Sequence, residues 1–134
     1  MSFLRRRPSA HTGVRTPQQR AGDAAEAAAC ARLEAEGCRI LERNVRFREG
    51  EIDIVADERG TLVFVEVRMR RSDRFGGAGG SVDLNKQRKL LRAARLYLAK
   101  RFGAQAALPP CRFDVVTADD EGIRDWIRDA FTAD

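Results

Sequence analysis

A single histidine, His11, and three scattered cysteines, Cys30, Cys38 and Cys111, are all that this 134-residue chain holds of the commonest transition-metal ligands and thiol nucleophiles. The histidine lies in a polar leader, which weighs against Ser-His-Asp or Cys-His catalysis and against multi-histidine metal sites. The cysteines are odd in number and lack zinc-ligand spacing. They offer no disulfide framework and point to a reducing, cytoplasmic setting. No apolar run approaches the roughly 20 residues of a membrane span, and no signal-peptide-like apolar region is present. Residues 1–20 contain no acid at all. What remains for chemistry is carboxylates, arginines and lysines.

Hydrophobic residues make up 43% of the chain and charged residues 34%. The length fits one domain. Runs such as Thr61-Leu-Val-Phe-Val-Glu-Val67 need a core to enter, which excludes a wholly disordered chain.

The formal net charge of +5 is matched by the five arginines of residues 1–20, so the remaining chain is neutral overall. Within it the charge is sorted. Residues 66–101 carry 11 basic and three acidic side chains, a local +8, between flanking segments of about −4 each. Sorted charge of this kind could make one positive face that tracks phosphates, or a helix surface that is simply well solvated. Residues 1–19 read as a flexible basic leader and 20–134 as a single domain.

Thr16-Pro17-Gln18-Gln19 predicts a helix start, with Thr16 as N-cap, Pro17 at the first position and Gln19 closing a capping box. The Ala-rich run should continue to about Glu36 and stop at Gly37. Strands are expected at 39–47, 51–58 and 61–70. A glycine loop over 71–80 follows, with Phe75 as its anchor. Ser81 or Asp83 should cap a second helix to about Arg101, carrying Leu84, Leu91, Ala94 and Leu98 at helical spacing. A strand over 111–117 and a short final strand near 123–131 complete an α/β fold of order αβββαβ, a mixed sheet covered by helices. Strands one to three form an antiparallel meander, and the helical crossover makes strands three and four parallel. Cys30, Cys38 and Trp126 read as packing residues.

The most informative stretch is residues 51–68. If Arg59-Gly60 is a two-residue hairpin loop, Glu58 pairs with Thr61, Ile54 with Val65 and Asp53 with Glu66. Alternation then puts Ile52, Ile54, Ala56, Val63, Val65 and Val67 on one face, and Asp53, Val55, Phe64, Glu66 and Arg68 on the other. Two carboxylates about 5 Å apart repel by roughly 3 kcal/mol at an effective dielectric near 20. Something must compensate. A proton could be held, Arg68 on the same face could complete an ion cluster, or a magnesium-like cation could bind with waters completing its shell. Glu26 precedes Cys30 and Leu33 at i+4 and i+7, which would turn it inward as a third acid unless the Ala-rich helix presents it to solvent. Lys86 and Lys89, with Arg88, Arg92 and Arg95 on the second helix, could contact a sugar–phosphate backbone together with Arg70, Arg71 and Arg74.

At Gly22-x-x-x-Glu26, Arg43-Asn44, Gly50-Glu-Ile-Asp53, Phe64-Val-Glu-Val-Arg68, Lys86 and Arg112-Phe-Asp-Val-Val116, the chain resembles the YraN-type family of uncharacterised proteins. That family is a relative of the archaeal Holliday-junction resolvases within the restriction-endonuclease-like PD-(D/E)xK superfamily. The resemblance covers about residues 20–131. It implies a restriction-endonuclease-like core and a magnesium-dependent endonuclease, with manganese as a substitute, acting on branched or structured DNA. Asp53, Glu66 and the Val67 carbonyl would be metal ligands, Glu26 the helix-one acid, and Lys86 a source of the missing amine. Arg68 stands where the superfamily usually has lysine; arginine stays protonated and cannot be a general base. Resolvases act as dimers, which by analogy suggests a homodimer. A nucleic-acid-binding module without turnover is the alternative, and a protein-interaction domain whose charges are solvated faces is a third reading.

Overall fold

A computed structural model describes residues 14–70, 82–103 and 107–132. The glycine loop, Phe75 and the Ser81 alternative lie outside them, as do Arg71, Arg74 and His11. Helix α1 (Pro17–Ala35) starts as expected: Thr16 accepts from the Gln19 N–H, and the Gln19 side chain accepts from the Thr16 N–H. It therefore begins inside the span assigned to the leader. Gly37, at φ +98°, ends it, with the Cys38 N–H donating to the Leu33 carbonyl and the Gly37 N–H to that of Glu34. This is a Schellman closure, which favours glycine.

Three strands follow: β1 (Arg39–Phe47), β2 (Gly50–Glu58) and β3 (Thr61–Met69). Helix α2 (Leu84–Phe102) is capped by Asp83, whose side chain accepts from the Lys86 N–H. Strands β4 (Cys111–Asp119) and β5 (Gly122–Phe131) complete the chain. The last element is a full ten-residue strand, so the order is αβββαββ. The sheet runs β1-β2-β3-β4-β5, with β3 and β4 parallel and every other pair antiparallel.

The Arg59-Gly60 loop has both residues at positive φ, 53° and 94°, the geometry that joins right-twisted strands in two residues. It sets the expected register, Glu58 opposite Thr61 through Ile54 opposite Val65. Alternate residues feed two cores. Val55, Leu62 and Phe64 pack with Leu90, Ala93, Ala94 and Tyr97 of α2. Ile54, Ala56, Val63 and Val65 pack with Ala29, Cys30 and Leu33 of α1. The helices thus cover opposite faces.

Two expectations need correction. Ile52 belongs with the α2 core rather than beside Ile54, so alternation breaks at Asp53. The buried stripe of α2 is Leu90, Ala93, Ala94 and Tyr97; Leu84 is exposed, and Leu91 and Leu98 only flank the core. The leucines at seven-residue spacing line one side of the helix, while small alanines let its backbone approach the sheet.

Both sheet edges are irregular. On β1 the register shifts between Ile40 and Glu42, and Asn44 takes a left-handed φ of 54°. On β5 the pairing shifts twice, Asp129 has φ 52°, and Arg124, Asp125, Arg128 and Asp129 are exposed.

Candidate functional site

The site lies where β2 and β3 part. Their ladder runs as far as Ile54 opposite Val65, one rung short of Asp53 and Glu66. Beyond it Asp53 Oδ2 accepts the Val67 N–H at 2.8 Å. Glu66 is 6% exposed. Both acids line one cleft of about 340 Å³ with Glu51, Lys86, Lys89 and Leu90. The ladder thus does not include the expected Asp53–Glu66 pair; the two side chains enter one cleft at a fork in the strands instead.

Burial pushes Asp53 up to about 7; the Glu66 charge adds to this, and the Val67 N–H works against it. The Glu26 charge raises Asp53 further, and Lys86 lowers it. Glu66 is raised as well, by burial first, with the charges of Lys86 and Arg68 opposing. Burial and a neighbouring acid thus work against ionisation of Asp53. Oxygen donors of this kind would suit a hard divalent cation. Among the described residues no three His, Cys, Asp or Glu side chains are grouped to hold a metal. Asp53 and Glu66 are two carboxylate donors in one cleft, a set that would fit a cation keeping much of its water shell.

Among the described residues the cation within ion-pair distance of Glu66 is Lys86, not Arg68: its Nζ lies 3.3 Å from Glu66 Oε2. Lys86 precedes Leu90 by one helical turn, so it leaves the sheet-facing side of α2 and reaches the acid. An Asp–Glu–Arg cluster is accordingly replaced by an interelement Glu–Lys pair, with Arg68 acting on Glu66 through its charge. Gly50 allows the close approach. A Cβ there would lie 2.4 Å from the Lys89 carbonyl oxygen.

Glu26 does turn inward, with its side chain 13% exposed. Its Oε1 accepts from Asn44 Nδ2 at 2.9 Å and from Arg43 Nη2 and Nε at 3.1 and 3.3 Å. Sequence reading placed no role on Arg43 or Asn44; the signal was an Arg-Asn pair at the middle of a strand, where asparagine is disfavoured.

Of the basic residues, Lys86 and Lys89 flank the cleft. Arg88, Arg92 and Arg95 are exposed at i, i+4 and i+7 along the side of α2 away from Leu90 and Ala94. Arg70 is drawn toward β5, 3.8 Å from Asp125.

A second buried carboxylate has a different character. Asp114 is 0% exposed and accepts from Arg112 Nε and Nη2, Trp126 Nε1 and the Asp129 N–H, all at 2.8–2.9 Å. Arg112 also pairs with Glu58 at 2.8 Å, and Arg128 stacks on Trp126, 3.8 Å from the ring centre. Four donors occupy this carboxylate, so it binds β4 to β5 and offers nothing to a ligand. Trp126, expected to be a packing residue, also holds this network.

A mixed sheet with one helix on each face and a forked hairpin bearing two acids is an α/β core of the restriction-endonuclease-like kind. Residues 25–118 match the model of "Uncharacterised protein family UPF0102", the YraN family, and the chain belongs to it. A UPF0102 protein of Xanthomonas axonopodis pv. citri (strain 306) is 53% identical over 120 residues, covering 87% of this chain and 95% of the relative. One from Symbiobacterium thermophilum is 54% identical over 101 residues, covering 75% and 83%. One from Janthinobacterium sp. (strain Marseille) is 44% identical over 119 residues, covering 89% and 93%. No helix among the described residues is long and apolar enough to cross a membrane.

Proposed function

We propose that the protein is a divalent-metal-dependent endonuclease of DNA, using magnesium with manganese as a substitute. The observation that carries this reading is the pair Asp53 and Glu66, one half-buried and one buried, lining a single cleft. They would hold the cation, with the Val67 carbonyl as a further oxygen. A divalent cation there supplies charge neutralisation at a phosphate and lowers the pKa of a water it carries.

The other residues have separate work. Lys86 and Arg68 would stabilise negative charge growing on the scissile phosphate. Lys89, with Arg88, Arg92 and Arg95, would hold the backbone on either side, together with Arg70, Arg71 and Arg74. Branched or structured DNA is the substrate class implied by likeness to archaeal resolvases, whose dimers also suggest a homodimer here. Work on DNA would place the protein in the cytoplasm.

Purified protein should nick or cut linear, single-stranded, flapped or four-way DNA with magnesium or manganese, and Asp53→Asn should abolish cutting. Failure on all four substrates would remove the enzyme reading. The arginine at position 68, where a lysine is usual, favours one second reading: a module that binds nucleic acid without turnover. Salt-sensitive binding that survives Asp53→Asn and Glu66→Gln, with no cleavage, would support it.

A further inference from the structure

Arg43 and Asn44 are neighbours in β1, and in a regular strand their side chains would point to opposite faces. Both nevertheless donate to the same oxygen, Glu26 Oε1. The left-handed backbone of Asn44, φ 54°, makes this convergence possible. Asparagine is one of the few residues that adopt this conformation readily.

The distortion sits at a telling place. The β1–β2 register pairs Arg43 with Ile54 and Val45 with Ile52, which leaves Asn44 facing Asp53 on the rung between. It is at this rung that alternation along β2 breaks and sends Ile52 to the α2 core. One local irregularity thus both frees Asp53 from the sheet pattern and clamps Glu26, whose charge reaches Asp53. All three donors fall on Oε1; Oε2 of Glu26 accepts no hydrogen bond from the described residues.

We propose that Asn44, seconded by Arg43, is a positioning residue that fixes Glu26 so that Oε2 accepts a hydrogen bond from the water shell of a cation held by Asp53 and Glu66. The assignment rests on the metal reading of that site. Glu26 then acts from the second layer; among the described residues no three His, Cys, Asp or Glu side chains are grouped to ligate a metal directly. Such outer partners typically alter metal affinity by about 10–100-fold.

The test is manganese titration of the full chain by calorimetry, with the electron paramagnetic resonance line shape of the bound ion. Asn44→Gly keeps the left-handed backbone and deletes the amide. It should weaken manganese binding about ten-fold, change the line shape, and leave the cation-free melting midpoint close to wild type. Asn44→Asp, which tolerates the same backbone and sets a second carboxylate against Glu26, should weaken binding further, and it serves if the glycine variant does not fold. In a Glu26→Ala background Asn44→Gly should have no additional effect; an equal loss in both backgrounds would make Asn44 merely structural and overturn the assignment. Wild-type affinity in both Asn44 variants would overturn it alone, leaving the metal site intact. Wild-type protein that binds no manganese, or binds it unchanged after Asp53→Asn, overturns the site and this assignment together.

Discussion

Gly50 stands so close to Lys89 that a single added carbon would lie 2.4 Å from the lysine carbonyl oxygen. Backbone meets backbone there, and neither can rotate aside. Gly50→Ala should therefore displace the first turns of α2 from β2, at a cost of about 1–3 kcal/mol. Lys86 should move away from Glu66 as a result. A lowered urea midpoint accompanied by weaker manganese uptake is the expected outcome, and an unchanged midpoint would contradict it.

Asp53 links stability to pH. Its pKa is raised from an ordinary 3.8 to about 7, so the folded state holds a proton that the unfolded state releases. The stability associated with that proton is complete below about pH 4 and is lost as pH rises through 7. Without divalent ions, the melting temperature should fall across this window, and Asp53→Asn should flatten the fall. Magnesium or manganese should raise the melting temperature more at pH 8 than at pH 5, because at pH 5 it must displace a proton. Superimposable pH profiles for wild type and Asp53→Asn would refute the charge assignment.

Asp114 should behave oppositely. Asp114→Ala strips four donors of their acceptor and leaves Arg112 without its main partner in a largely buried place. A loss of about 3–5 kcal/mol is expected, read by chemical denaturation. Manganese affinity per folded molecule should stay at the wild-type level. A large drop in affinity would place Asp114 in the site's machinery.

Arg68→Lys restores the residue usual in the superfamily. The endonuclease reading expects cleavage retained or increased, since a lysine keeps the charge and adds a titratable amine. Collapse of cleavage with intact folding would instead assign Arg68 a two-pronged contact that only a guanidinium makes.

Much of this architecture is local, and local signals were readable. Thr16 through Gln19 spelled the first cap, and Arg59-Gly60 set the hairpin register that sends Asp53 and Glu66 the same way. The misreadings share a cause. The Leu84–Leu91–Leu98 series looked like the buried stripe of α2, yet close contact with the sheet at Gly50 favours the alanine-lined side. Strict alternation misplaced Ile52 because the kink at Asn44 belongs to the partner strand. Lys86 reaching Glu66 spans a crossover, and no spacing rule measures that separation. The Arg43-Asn44 pair is visible as a motif, but its work depends on a glutamate 17 residues before Arg43, which only the packed helix brings near.

The irregular borders of the sheet also limit how copies of this chain can meet. A neighbouring strand needs a straight row of free amides and carbonyls, and neither β1 nor β5 presents one. Kinks interrupt the first, while bulges and alternating charges roughen the second. Edge-to-edge extension of the five-stranded sheet through β1 or β5 is therefore disfavoured.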